Sequence, residues 1–196
     1  MNAAPLFLLT SLALVGSPGP NTLSLTAIGA AFGTRRGVPY MIGLNLGMVG
    51  VVALVGSGLW AVMASYPGVA PVVTLAASAY LLYLAFRIAT ALPIGATAVP
   101  GRAPGLSAGV MLSLTNPKAY VSVAAVVSRY TLVPGQPVTD EAVKGALFLA
   151  LVVIVNAAWL AGSLLGRTVT NPRVGRLVNL GFAGLLVVSV LAAFLA

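Results

Sequence analysis

Ser17-Pro18-Gly19-Pro20-Asn21 falls in the middle of a stretch, residues 1–34, that carries no charged side chain. A helix needs about 20 apolar residues to cross the ~30 Å hydrocarbon core of a bilayer, and this stretch is long enough. Its centre, however, cannot continue as helix. Pro18 and Pro20 each remove a backbone donor, and Gly19 between them tolerates positive φ. Backbone groups freed by such a break cannot face lipid, so they must line a polar cavity or be covered by protein. A second interruption, Thr115-Asn116-Pro117-Lys118, divides the stretch 106–130. There Asn followed by Pro suits a fresh helix start, with Asn as cap and Pro at the first helical position. Both starts then aim a positive dipole end into the protein.

Composition places both breaks in a membrane. The 196 residues include 10 Lys+Arg and 2 Asp+Glu, 60% are apolar and 6% are charged, against roughly a quarter charged in a soluble domain. The formal charge of +8 does not point to nucleic acid, because the basic residues are scattered singly between apolar runs. With no Cys, no His and only Asp140 and Glu141 as acids, disulfides, haem attachment, iron-sulfur clusters and thiol chemistry are excluded, and a transition metal lacks ligands. No cofactor is expected.

Cutting the chain at charges and Pro/Gly clusters gives six spans: 4–32, 38–65, 70–88, 106–130, 145–166 and 177–196. The second and third share one uncharged block that contains the turn Ser65-Tyr66-Pro67-Gly68-Val69-Ala70-Pro71. A signal peptide would open with positive charge, and Met1-Asn2-Ala3-Ala4-Pro5 has none, so the first span is read as mature. Arg35, Arg36, Arg87, Arg102, Arg167, Arg173 and Arg176 then fall on one side, and Arg129 and Lys144 on the other, beside Asp140 and Glu141. The positive-inside bias makes the first group cytoplasmic and puts both termini outside. Three spans per half turn the second half upside down relative to the first. The predicted fold is an all-α integral membrane protein of six transmembrane helices in two inverted three-helix repeats, about 1–92 and 105–196. Loop 93–104 joins them into a single domain, 1–196, with helices one and four broken at their proline motifs. Matched interruptions of this kind are the sequence pointer to a transporter site at a repeat interface.

Lys118 is the only charge in the middle of a predicted span. A lysine there costs about 2.5 to 3.5 kcal/mol on insertion scales. It lies roughly a dozen residues, ~18 Å, from either end, too deep to snorkel. With no Asp or Glu in any span, its partner is a backbone carbonyl at the breaks or an anionic ligand such as a solute carboxylate. Asn21, Asn45, Asn116 and Asn156 are the other strongly polar side chains away from the span ends, suited to binding a ligand or to bonding helices together. Pro18, Gly19, Pro20 and Pro117 complete the expected substrate site. Ser122, four residues after Lys118, would share its helix face in a Ser/Lys pairing that can support hydrolysis. No oxyanion arrangement accompanies it, and the chain is not read as an enzyme. A passive channel is the other alternative. Gly29/Gly33/Gly37, Gly43/Gly47 and Gly162/Gly166 read as close internal helix packing, with a homo-oligomer left open, and Tyr80 and Tyr83 as core or interfacial anchors.

In order and interval these motifs resemble the lysine exporter and homoserine/threonine exporter family, LysE/RhtB, over essentially the whole chain. Pro18-Gly19-Pro20-Asn21 is similar to that family's first-helix signature, Ala79-Tyr80-Leu81-Leu82-Tyr83-Leu84 to its third-helix motif, and Asn116-Pro117-Lys118-Ala119 to its fourth. The resemblance implies a multi-pass inner-membrane exporter of amino acids or related small metabolites, driven by an ion gradient or the membrane potential. Where many members carry an acidic residue after a glycine in helix two, Gly43-Leu44-Asn45-Leu46-Gly47-Met48 has Met48. A cationic side chain would want a carboxylate within the membrane. Neutral amino acids or their derivatives are therefore the expected solutes, with the lipid bilayer as the other partner.

Overall fold

Prolines and glycines decide where the helices of this chain begin and end. The computed structural model describes residues 3–58, 65–66, 68–90, 102–166 and 171–195, and every regular element among them is an α-helix. These are α1 (Ala4–Gly16), α2 (Pro20–Phe32), α3 (Thr34–Gly56), α4 (Val69–Ala89), α5 (Leu106–Thr115), α6 (Pro117–Arg129), α7 (Pro137–Gly166) and α8 (Pro172–Leu195). Pro5, Pro20 and Pro117 sit in the first two positions of their helices, where a missing N–H costs nothing. Both interruptions lie where the sequence puts them. Ser17-Pro18-Gly19 separates α1 from α2, and Asn116 alone separates α5 from α6, which are bent by 60°.

Among the described residues, Thr34–Gly56 and Pro137–Leu164 are long and apolar enough to cross a membrane, and α5 with α6 makes a third crossing if taken as one broken span. The second helix departs from its predicted span, 38–65. It stops at Gly56, where Ser57 and Gly58 (φ 72°) turn the chain. It starts early because Gly33, at φ 96°, is the single residue between α2 and α3, a conformation that glycine adopts without steric cost. Arg35 and Arg36 thus ride the first turn of α3 instead of a connection, and Arg173 and Arg176 ride the start of α8. Pro67, Arg167, residues 91–92 at the end of the expected first repeat and residues 93–101 of the expected loop lie outside the described residues.

Lipid tails are as apolar as leucine, so helices in a bilayer associate through close packing at small residues. α3 and α5 show this most. A Cβ at Gly43 would collide with the Leu106 carbonyl, one at Gly109 with the Tyr40 carbonyl, and one at Gly47 would stand 2.6 Å from the Ser113 Cβ. Gly37 similarly admits the Leu160 side chain of α7. The expected Gly162 contact is absent: that residue has open space around it, because it faces away from the neighbouring helices. α2 is buried on every face from residue 22 to 32. α3 packs against α7 and α4 along α8, α3 also touches α5 and α6, and α7 also touches α1 and α2.

The first two turns of α7 precede the apolar run that starts at Gly145, and they fasten the loop after α6. The buried Lys144 ammonium lies 2.8 Å from Asp140 and 3.0 Å from Glu141, and donates to the carbonyls of Val127 and Tyr130. Asp140 Oδ1 accepts from the amides of Leu132 and Val133. The Lys144 ammonium, aided by those amides and opposed by burial, holds the Asp140 carboxyl below the usual carboxylate range. Tyr130 carries the connection on to α1, with its hydroxyl 2.8 Å from Thr10 Oγ1 and its ring edge-on to Phe7.

Candidate functional site

At the first break the chain leaves α1 through Ser17 in an extended conformation (φ −67°, ψ 144°) and passes Gly19 fully extended (φ −172°, ψ −178°) before α2 begins. Gly19 is therefore not needed for a left-handed backbone. It is needed for room, because a Cβ there would lie 2.9 Å from both Cδ and Nζ of Lys118. Thr22 Oγ1 accepts from the Gly19 amide at 3.0 Å and satisfies one donor of the new helix start. At the second break Asn116 caps α6 as its position predicts, with Oδ1 accepting from the Lys118 amide at 3.1 Å. The Tyr120 hydroxyl donates to the Leu114 carbonyl, one of the acceptors left open at the end of α5.

The two breaks are bonded to each other. Asn116 Nδ2 donates to Asn21 Oδ1 (2.9 Å), Asn21 Nδ2 to Ser113 Oγ (3.0 Å), and Ser113 Oγ to the Leu44 carbonyl of α3 (2.8 Å). Lys118 closes the arrangement from the other direction. Its Nζ donates to the Ser17 carbonyl and Ser17 Oγ, each at 2.8 Å, and to the Pro18 carbonyl at 3.2 Å. Three acceptors use all three hydrogens of an ammonium, and they lie at the negative end of the α1 dipole, which favours a cation. Of the two partners the sequence left open for this lysine, the carbonyls at the break hold it here.

A cavity of about 40 Å³ lies where the breaks meet. Of the expected site residues, Gly19, Pro20, Asn21, Asn116, Lys118 and Asn156 line it. Pro18 reaches it only through the carbonyl that binds Lys118, and Pro117 starts the helix that carries Lys118. Asn45 stands behind the wall, in a lipid-side crevice, and accepts from Asn156 Nδ2 at 2.7 Å. Leu14, Val15, Met48, Val152 and Ala119 supply the apolar part of the lining, and no carboxylate is among the lining residues. Ser122 also lines it, but the three bonds of Lys118 go to Ser17 and Pro18, so no Ser/Lys dyad is formed. Tyr83 is half-exposed and does not line the cavity. Sequence reasoning missed Ser113 and Thr22. Ser113 is a fully buried serine three residues before the Asn116 cap, and small polar residues beside a helix end are the signal that could have found both.

A profile of the LysE type translocator family matches residues 12–196. The chain belongs to that family. This LysE type translocator is thus a membrane transporter, in agreement with the resemblance carried by its three motifs. It is 27% identical over 182 residues to an uncharacterized membrane protein of Vibrio cholerae, covering 88% of this chain and 87% of the relative. It is also 27% identical over 173 residues to the cysteine/O-acetylserine efflux proteins of Salmonella paratyphi A and Salmonella typhi, covering 87% of each chain. No solved structure matches it.

Proposed function

We propose that this translocator is an inner-membrane secondary transporter that exports amino acids or closely related metabolites, neutral ones in preference to cationic ones, driven by a proton gradient or the membrane potential. The observation that carries the reading is the cavity where both helix breaks meet, with an ammonium in its wall and no carboxylate in its lining. A solute carboxylate has Lys118 to bind. A second positive charge on the solute has nothing to neutralise it in a medium where unpaired charge is costly. The names of the Salmonella relatives fit, since cysteine and O-acetylserine are zwitterions with small uncharged side chains.

In this reading α1–α4 and α5–α8 are two inverted repeats in six spans, joined by loop 93–104, with both termini outside. A two-fold axis exchanging the halves pairs α3 with α7 and α4 with α8, and matches α3·α5 with α7·α1 and α3·α6 with α7·α2. Contacts of all these kinds occur, which supports it. Pro18, Gly19, Pro20 and Pro117 shape the breaks, Asn21 and Asn116 fasten them, Lys118 takes the carboxylate, and Asn156 with Asn45 forms the facing wall. A cavity of about 40 Å³ has room for water and is too small to hold an amino acid, so solute binding requires it to widen. Flux in proteoliposomes tests this with cysteine, O-acetylserine and lysine, with and without an imposed pH gradient or potential. Saturable, gradient-dependent flux of the neutral solutes and little of lysine is expected. Flux indifferent to any gradient would make the protein a channel, and no flux of any amino acid would reject the reading.

A further inference from the structure

We propose that Asn156 and Ser122 form the subsite for the α-ammonium group of the solute, with Asn45 as the residue that positions Asn156. The inference rests on the exporter reading and specifies its substrate class as α-amino acids with a free α-amino group and an uncharged side chain. Asn156, 2% exposed, lines the cavity from α7. Its amide nitrogen is committed to Asn45 Oδ1 at 2.7 Å. An amide has a donor end and an acceptor end, and with its nitrogen engaged by Asn45 the end of Asn156 left over is its oxygen. In this arrangement the Asn156 oxygen is turned away from Asn45, and it makes no hydrogen bond to the protein. The Ser122 hydroxyl, one helical turn after Lys118 and 4% exposed, also lines the cavity without a protein partner.

The cavity thus offers three kinds of surface: the Lys118 ammonium, two acceptors awaiting a donor, and an apolar wall that includes Met48 and Val152. An α-amino acid has three matching arms: a carboxylate, an ammonium and a side chain. A solute with the carboxylate but no ammonium would displace water from the Asn156 oxygen and return no donor. A buried acceptor left in that state loses its full solvation, which is the physical basis of strong discrimination between solutes.

The test is binding to the purified full-length protein at mildly acidic pH, with O-acetyl-L-serine and with 3-acetoxypropanoate, the same molecule lacking its amino group. The wild type is expected to prefer O-acetylserine by at least about 10-fold. Asn156→Leu should abolish that preference and keep weak binding of 3-acetoxypropanoate, and Ser122→Ala, which removes no hydrogen bond between helices, should reduce the preference. Asn45→Leu should lower it and Asn45→Asp, which still accepts from Asn156, should restore it, an outcome that loss of packing alone would not give. Equal affinity of the wild type for both probes, or a preference surviving in both Asn156→Leu and Ser122→Ala, overturns the subsite and leaves the exporter reading standing. Failure of the wild type to bind either probe overturns the subsite, wild-type binding of both by Lys118→Met removes the carboxylate partner and the subsite argued from it, and the exporter reading is decided by the flux panel.

Discussion

The two lysines that leave the surface do opposite jobs, although each caps the C-terminal end of a half-helix. Lys144 is closed in by two carboxylates and two carbonyls, whereas Lys118 has only carbonyls and a hydroxyl, all neutral, as its proposed role of passing from them to an arriving anion requires. Lys118→Met should therefore insert and fold, since most of the side-chain volume is kept, and lose measurable solute binding. Lys118→Arg, larger and permanently charged, should keep weak binding and lose any coupling that requires a proton to leave. Solute binding and gradient-driven flux check both, and wild-type flux by Lys118→Met would remove this residue from the site. Asp140 gives a pH test of the other lysine. Its carboxyl is held below its unfolded-state value of about 3.9, so its contribution to stability is complete above that value and is lost as pH falls through the lower folded value. Asp140→Asn should lower the melting temperature near pH 7, and its gap to the wild type should narrow on acidification toward pH 3. A gap independent of pH would mean that the aspartate acts through packing alone.

Helix ends were the most legible elements in the sequence, because proline and glycine act locally. Both breaks and the Asn116 cap follow from four or five residues each. The end of α3 was not legible, since nothing in the uncharged stretch after Gly56 marks it except a Ser-Gly turn whose effect depends on what packs around it. The bonds from Asn21 to Ser113 and from Asn156 to Asn45 join residues about a hundred positions apart, and spacing along one chain carries no information about them. Glycine repeats gave half the answer: spacing four apart places two glycines on one face without saying whether that face meets a neighbour. Gly109 and Gly162 separate the cases. Gly109→Ala drives a Cβ into the backbone of Tyr40 and Leu44, atoms that cannot rotate away, and should cost about 3 kcal/mol, the upper end of what overpacking typically costs. Gly162→Ala meets open space and should cost nothing. Thermal unfolding of the two variants side by side checks this, and equal melting temperatures would show that the seam between α3 and α5 yields.

At the scale of the whole molecule, charge is sorted by type. The arginines whose side chains are described, at 35, 36, 102, 129, 173 and 176, are all exposed, while both lysines turn inward. In the proposed six-span arrangement the two termini share a side, and the positive-inside bias would put that side opposite Arg36, Arg102 and Arg173. Single cysteines introduced at residues 3 and 103 of this cysteine-free chain should label from opposite faces of right-side-out membrane vesicles. Labelling of both from the same face would reject the six-span arrangement. The ammonium held between Ser17 and Pro18 bears on a hazard that every exporter faces between turnovers. A pathway through an energised membrane is also a route by which protons and sodium ions could short-circuit the gradient. While charged, the Lys118 ammonium stands beside a cavity of about 40 Å³ and repels any cation that enters it. The side chain offered to the solute would then also insulate the membrane while no solute is bound.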